Sequence, residues 1–406
     1  MRLSKEELQE KIEKNDCKYS LSWSKLHCFI DDPFSFMLKY LEHVPEEKNN
    51  SYAFLGDVVH NGLEAFYNNE KNREQIITEF EEKLMEQSCS DINFVKDEEK
   101  NKQIEQSYFL NIKHFLMNYE KVSPHSKLET FVGWKFGDYF MQGYIDHMYP
   151  LVEEIEFKTD DDGVLSKNNK HYIVIEDFKT STIYQGSKIE ENSGQLKLYA
   201  YMIHKMYDIP VNSIKIGWNF LKYAMVDIEQ KNGKIKTSKI LRTELAQGVY
   251  SKLKTWGKHF KYTPEEVEDF YKIIQKNESE YKDVNLFEGI PKEIAEKFNV
   301  RDCFVEIPFN VEIMNNFIDY ITEEIQNMTN KINLYKMASD RNIKNQIFWK
   351  DVTKENSFFF INLCGYTSKH HLPLREYLNK LSSFESQSSN AEELDEELFN
   401  LLFKNK

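Results

Sequence analysis

A change of sequence pattern near Lys127 constrains the fold more than any other feature. Residues 128–136 alternate between apolar and polar, as a half-buried β-strand does, whereas the segments before them carry apolar residues at helical spacing. The Gly137-Asp138 pair predicts a turn into a second strand over residues 139–149. The chain therefore joins a helical first part to a β-sheet.

The segments after this hairpin predict a sheet that is crossed by a helix. We expect an apolar strand, a helix, a further strand and a hairpin that turns at Asn232-Gly233, over residues 171–179, 193–206, 213–223 and 225–240. From Thr243 onward the pattern is mainly helical. This order predicts an α/β fold with a small mixed β-sheet flanked by helices, and with large helical additions.

Three regions are predicted along the chain. Residues 1–126 form an N-terminal helical region, with one helix over residues 54–68 and a helical insertion over residues 72–121. Residues 127–262 hold the sheet and form the core. Residues 263–406 form a C-terminal helical region that packs on the core and ends in an acidic tail.

The composition favours a soluble protein of the cytoplasm. The 406 residues are enough to bury a sizeable core, and no run of about 18 apolar residues predicts a membrane-spanning helix. The charged first residues lack the apolar stretch of a secretory signal. The five cysteines are widely spaced, which fits reduced thiols better than disulfides or a clustered metal site.

Basic residues concentrate over residues 231–262, although the whole chain has a formal net charge of −14. This segment holds nine basic residues and one acid, Glu244. Lysines neutralise DNA phosphates, so Lys254, Lys258 and Lys261 are predicted to contact DNA. The aromatic residues among them could stack on unpaired bases, but packing in a helical core is the favoured interpretation.

Two acids and a lysine stand at the ends of neighbouring predicted strands. Asp177 and Lys179 are two residues apart, so both side chains point to one face of a strand, and Asp146 lies near the end of the strand before. Two carboxylates make a hard oxygen site suited to Mg²⁺ or Mn²⁺, and a nearby lysine can stabilise developing charge. Taken alone, Asp-x-Lys is common, and its usual interpretation is a surface ion pair.

Five short motifs, two of which contain this trio, follow one another in a fixed order over residues 19–204. They are Ser20-Leu-Ser-Trp-Ser-Lys-Leu with Asp32-Pro-Phe-Ser-Phe, then Gly56-x-x-x-His60-x-x-Leu63-Glu64, Gly143-Tyr-Ile-Asp146, Asp177-Phe-Lys179-Thr-Ser and Gln195-Leu-Lys-Leu-Tyr199. The ordered set resembles the RecB-like (AddB-like) exonuclease branch of the PD-(D/E)XK nuclease superfamily. The ordered set is far more specific than any one of its motifs.

The resemblance implies a metal-dependent DNA nuclease that trims DNA ends in recombination, repair or replication, with the restriction-endonuclease-like core of this superfamily. It assigns catalytic roles to Asp146, Asp177, Lys179, Gln195 and Tyr199, the last two as groups that position the DNA phosphate or the lysine. It assigns metal binding to His60, Asp146, Asp177 and the backbone carbonyl of Phe178. The implied metal is Mg²⁺, for which Mn²⁺ would substitute, and no other cofactor is implied.

Alternatives stay open for several residues. His60, taken outside the family context, is more often a packed or capping histidine than a ligand. Glu129 parallels an acid in some related enzymes, and an active-site role for it stays open. Glu176 should face the other side of its strand and be structural. The alternative function is a catalytically silent DNA-binding or scaffolding subunit of a recombination complex.

Two features depart from the family pattern. Many relatives carry an iron–sulfur cluster held by one cysteine in the opening segment and three near the C-terminus, but Asp32 takes the first position here and Cys364 is the one cysteine near the second. We therefore expect no iron–sulfur cluster, and packing of the C-terminal helices to replace it. No P-loop motif is present, so the nuclease would act alone or beside a helicase or other recombination or replication proteins.

Overall fold

The computed structural model describes residues 3–46, 51–89, 94, 98–156, 167–350, 353, 356 and 364–366. It divides into two compact units, of which the first comprises residues 1–20 and 50–317 and the second residues 21–49 and 318–406. The first unit thus takes residues from all three predicted regions. The predicted acidic tail lies outside the described residues. Where the chain is described, no helix is both long and apolar enough to cross a membrane.

A mixed seven-stranded sheet organises the first unit. Its strands are β1 (Tyr19–Ser22), β2 (Lys127–Phe136), β3 (Tyr139–Glu156), β4 (Lys167–Lys179), β5 (Ile214–Glu229), β6 (Ile235–Leu241) and β7 (Phe298–Ile307). The main path runs β1-β3-β4-β5-β6, while β2 pairs with β3 and β7 pairs with β5. β4 and β5 are parallel, and the β2–β3, β3–β4, β5–β6 and β5–β7 pairs are antiparallel. The predicted mixed sheet is confirmed.

Helices flank this sheet, as the sequence predicts. The described helices of the first unit are α1 (Lys5–Lys14), α4 (Ser51–Tyr67), α5 (Arg73–Ser88), α6 (Glu98–Asn118), α7 (Ser187–Tyr207), α8 (Leu245–His259), α9 (Pro264–Ser279) and α10 (Lys292–Ala295). The second unit holds α2 (Trp23–Asp31), α3 (Pro33–Phe36), the π-helix Met37–Leu41 and α12 (Arg341–Ile347). Strand β1 and helix α11 (Val311–Met337) each have residues in both units.

Two strand segments differ from the sequence prediction. Strand β7 lies in a region that we expected to be helical, and it pairs with β5 over two stretches separated by a bulge. Residues 167–169 belong to β4 rather than to the loop predicted over residues 159–169; the rest of that predicted loop, up to residue 166, lies outside the described residues. Because β7 belongs to the sheet, the sheet includes residues beyond the predicted end of the core at residue 262.

The two faces of the sheet have different neighbours near the end of β4. Phe178 and Leu221 are buried among apolar side chains of α4, α5 and α6. Since side chains alternate along a strand, Asp177 and Lys179 lie on the opposite face, where α7 packs. A second apolar cluster joins the far end of β5 to β7, α8, α9 and α10. The charged end of β4 is thus held between two packed layers.

In the second unit, Asp32 occupies a buried position beside Cys364. Its carboxylate accepts hydrogen bonds from the Phe34 backbone N–H and the Ser35 hydroxyl, which caps α3. The Cys364 Sγ lies 3.9 Å from Asp32 Oδ2. These are the two positions at which the family resemblance would place iron–sulfur ligands, and here they meet through an acid–thiol contact.

Candidate active site

Strand pairing brings the two predicted acids together. β3 and β4 are antiparallel, and His147 lies opposite Glu176. Asp146 precedes His147 and Asp177 follows Glu176, so these two acids are neighbours across the strands. The Phe178 backbone N–H donates to Asp146 Oδ2 at 3.3 Å. Both carboxyl groups thus lie where β4 approaches its end.

The Asp146 and Asp177 carboxyl groups share one small, largely buried volume. Burial raises the pKa of Asp146 well above its ordinary range, and the charge of Asp177 and a hydrogen bond to it raise that pKa further. Two buried like charges in contact are unfavourable unless a proton or a cation stands between them. The pair is therefore an arrangement that favours a bound cation.

Lys179 contacts the same pair. Its Nζ lies 2.7 Å from Asp177 Oδ2, and the Asp177 side chain is only 7% exposed. Burial alone would lower the pKa of Lys179, but Asp177 outweighs burial and the pKa is raised. Tyr184, which the sequence did not single out, raises it further. The ion pair that Asp-x-Lys predicts does form, but it is buried beside a second acid rather than solvated on the surface.

His60 of α4 reaches the end of β4. Its Nε2 lies 2.9 Å from the carbonyl oxygen of Phe178, and because a carbonyl can only accept, this nitrogen is the donor. Its Nδ1 lies 3.3 Å from Asp146 Oδ2. Burial lowers the pKa of His60, partly opposed by Asp177. The structure thus brings together all the groups predicted to bind metal: His60, Asp146, Asp177 and the Phe178 carbonyl.

Gln195 and Tyr199 of α7 line the other side of the pair. The Gln195 amide donates to the Tyr199 hydroxyl at 3.1 Å. Burial raises the pKa of Tyr199, and the negative charges of Asp146 and Asp177 raise it further. The tyrosine ring packs so closely on Gly143 that a Cβ there would lie 2.6 Å from its hydroxyl oxygen. The glycine of the Gly-x-Ile-Asp motif therefore makes room for Tyr199.

Glu129 is a third acid at this site. The β2–β3 pairing joins Leu128 to His147 and Thr130 to Ile145, which places Glu129 opposite Asp146. Its φ of +46° is rare for a residue with a side chain. The charge of Glu129 contributes to the raised pKa of Asp146. The sequence could suggest the acid, but no local signal marked its left-handed backbone.

Glu176 faces away from this group, as expected. It is buried and lies 2.5 Å from His147 Nδ1, while His147 Nε2 lies 3.0 Å from the Ser126 hydroxyl. The His147 ring stacks on Phe178 with ring centroids 5.5 Å apart. These contacts hold the back of the β4 end, so Glu176 has a structural role.

The basic segment over residues 231–262 is placed on other elements. Lys254 and Lys258 lie on α8 and Lys261 follows it; α8 packs against α9, α10 and β6, whereas the acids lie on β3 and β4 beside α4 and α7. Arg242 does not face solvent, because it is buried and pairs with Asp283 at 2.7 Å. That arginine is structural and does not belong to a DNA-binding surface.

The aromatic side chains of the same segment are packed into the protein. The rings of Tyr250 and Tyr271 stack with centroids 4.1 Å apart, and Trp256 is buried, donating from its indole N–H to the Glu229 carbonyl. Phe260 stacks on Trp256. These aromatic side chains therefore pack in a largely helical core, which is the interpretation that the sequence favours.

The donor set suits a divalent cation that prefers oxygen ligands. The site offers two carboxyl groups, a backbone carbonyl and an imidazole, the kinds of donor that bind Mg²⁺ and Mn²⁺. In the described ranges, no group of three or more histidine, cysteine and acidic side chains is placed so that it could hold a metal ion by itself. A cation here would therefore complete its coordination with water or substrate oxygens.

Comparison with known families identifies the superfamily of this chain. The model of the PD-(D/E)XK nuclease superfamily matches residues 20–299, which is more than half of the chain and includes every residue of the site. The chain belongs to the PD-(D/E)XK nuclease superfamily. No curated protein matches the sequence significantly. Nucleases of this superfamily typically use divalent metal ions and act on nucleic acid.

Proposed function

We propose that this protein is a Mg²⁺-dependent deoxyribonuclease that processes DNA ends as an exonuclease. The observation that carries the proposal is the contact between the Asp146 and Asp177 carboxyl groups, with Lys179 bound to Asp177 at 2.7 Å. In such a group the two carboxylates can bind a metal ion, and the Lys179 ammonium can bind a phosphate oxygen. The reaction would serve recombination, repair or replication in the cytoplasm, either alone or beside a helicase.

The side chains have separate roles in this proposal. Asp146, Asp177 and the Phe178 carbonyl would hold the metal, and His60 would orient the Asp146 carboxyl and the Phe178 carbonyl or join the ligands. When bound, Mg²⁺ supplies a Lewis acid and a more acidic water. Lys179 donates from Nζ to the attacking water or to a phosphate oxygen, which stabilises charge that develops in the transition state.

Tyr199 and Gln195 form the wall of the reaction volume opposite β4. The Tyr199 hydroxyl, which accepts from Gln195, can donate its own proton to a phosphate oxygen or to the Asp146 carboxylate. This would fix the position of the phosphate relative to Lys179. Lys254, Lys258 and Lys261 remain proposed contacts to DNA at a distance from the reaction, through phosphates alone.

The mode of cleavage can be tested on one DNA in two forms. End-labelled linear DNA and covalently closed circular DNA of the same sequence are incubated with the protein and Mg²⁺, Mn²⁺ or EDTA. The proposal predicts mononucleotides or short oligonucleotides from linear DNA and intact circles, with no reaction in EDTA. Nicking or linearisation of the circles would show an endonuclease. A folded protein that binds DNA but is inactive with both metals would be the catalytically silent subunit.

A further inference from the structure

Strand β5 carries a lysine just beyond the proposed active site. β4 ends at Lys179, which pairs with Phe220 of the parallel strand β5, and Lys222 follows two residues later. Two residues of a strand span about 7 Å. Ligands of α/β sheets bind beyond the carboxyl ends of parallel strands. Lys222 therefore lies on β5 just past the end of β4, between the stretch of β5 that pairs with β4 and the stretch that pairs with β6.

The Lys222 ammonium has no acidic partner in the part of the chain that the structure describes. It forms no ion pair there, unlike Lys215 on the same strand, whose Nζ lies 2.5 Å from Glu153 Oε1. Its Nζ lies 5.6 Å from the centroid of the Tyr108 ring of α6. Burial lowers the pKa of Lys222 from 10.5 to about 8. A largely buried cation without a counter-ion is costly, and such groups concentrate at functional sites.

The hydroxyl of Tyr108, a neighbour of Lys222, is poorly paired as well. The Tyr108 hydroxyl is buried, and among the described residues it has no hydrogen-bond partner of normal geometry. Burial raises the pKa of Tyr108, and a weak side-chain hydrogen bond to Thr180, the residue after Lys179, partly opposes that rise. Buried polar groups are normally well paired, so a weakly paired hydroxyl on the residue whose ring faces the Lys222 ammonium points to a ligand. A ligand that fits an ammonium without an acidic partner among the described residues is an anion.

We propose that Lys222 binds a backbone phosphate of the DNA strand next to the phosphate that is cleaved, and that Tyr108 positions its ammonium. This inference rests on the proposed function, because it takes DNA as the anion. Lys222 would fix the register of the strand, holding one phosphate while its neighbour lies beside Lys179.

DNA binding without cleavage tests this proposal. Affinity for fluorescein-labelled single-stranded and double-stranded oligonucleotides is measured by anisotropy with Ca²⁺ in place of Mg²⁺, from low to high salt. We expect Lys222→Met to weaken binding about tenfold at low salt and to reduce the slope of log affinity against log salt by about 0.7 to 0.9. Lys222→Arg should retain the slope. Lys215→Met, which removes a paired lysine from the same strand, should leave both quantities unchanged.

The outcomes separate this inference from the proposed function. If the wild-type protein binds and cleaves DNA while Lys222→Met keeps its affinity and salt slope, Lys222 binds no phosphate and the nuclease assignment stands. Equal losses in Lys222→Met and Lys222→Arg would also overturn the inference, since the charge would then be irrelevant. A folded wild-type protein that neither binds nor cleaves DNA would refute the proposed function itself.

Discussion

Replacing Lys222 with methionine should stabilise the fold while weakening DNA binding. A pKa lowered from 10.5 to about 8 means that the charged ammonium costs the folded state about 3 kcal/mol relative to the unfolded chain. Solvent screens part of this cost, because the side chain is not fully buried. Loss of the contact with the Tyr108 ring removes about 0.5–1 kcal/mol. We expect a net gain of about 1–2 kcal/mol in the free energy of unfolding at pH 7.

The pH dependence of this gain has a fixed sign. Below pH 8, Lys222 is charged in the folded and the unfolded chain, so the full cost is present and Lys222→Met shows its full gain. Between pH 8 and pH 10.5 the folded state loses the proton first, so the cost falls as pH rises. The advantage of Lys222→Met over the wild type should therefore shrink across this window.

Urea unfolding followed by circular dichroism at pH 7 and pH 9.5 measures the difference. Lys215→Met is the matched control; because Glu153 pairs with Lys215 and raises its pKa, this variant should lose a little stability at pH 7. Equal slopes against urea are required for the comparison. A Lys222→Met protein that is no more stable than the wild type at pH 7, or whose gain does not change with pH, would refute the reasoning.

Three further substitutions test separate parts of the account. Gly143→Ala should place a methyl group against Tyr199 and lower the single-turnover cleavage rate about 10–100-fold; an unchanged rate would contradict the role of the ring. His60→Ala should weaken Mn²⁺ binding about 10–100-fold by calorimetry, and unchanged affinity would remove His60 from the metal site. Arg242→Met should leave the buried Asp283 with His114 but without its arginine partner, and cost about 3–5 kcal/mol by thermal or urea unfolding; a stability equal to wild type would show that the arginine ion pair contributes nothing.

The parts of the fold that could be predicted depend on short-range signals. The β2–β3 hairpin can be predicted because its signals lie within a few residues: apolar and polar residues alternate along β2, and Gly137 takes the turn with a φ of +56°. The two-residue spacing of Asp177 and Lys179 places them on one face in any strand. Their nearness to Asp146 needs the β3–β4 register, which the ordered motifs could only suggest.

The parts that could not be predicted depend on distant partners. β7 forms because Phe298–Ile307 completes the sheet edge beside β5, and nothing in the helical sequence around it shows that this edge is open. Arg242 stands in a run of solvated lysines, but Asp283 and Asp302 hold it in the core. The left-handed backbone of Glu129 likewise has no signal in the neighbouring residues of the sequence.

The most direct test of the account compares Asp177→Asn with the wild type in a cleavage assay on end-labelled linear DNA. Asparagine keeps the size of the side chain and removes the charge that binds the metal and Lys179. Asp138→Asn, which changes an aspartate 55% exposed in the β2–β3 turn, is the control. We predict Mg²⁺-dependent digestion by the wild type and by Asp138→Asn, and none by a folded Asp177→Asn. Digestion by Asp177→Asn at the wild-type rate would contradict the account.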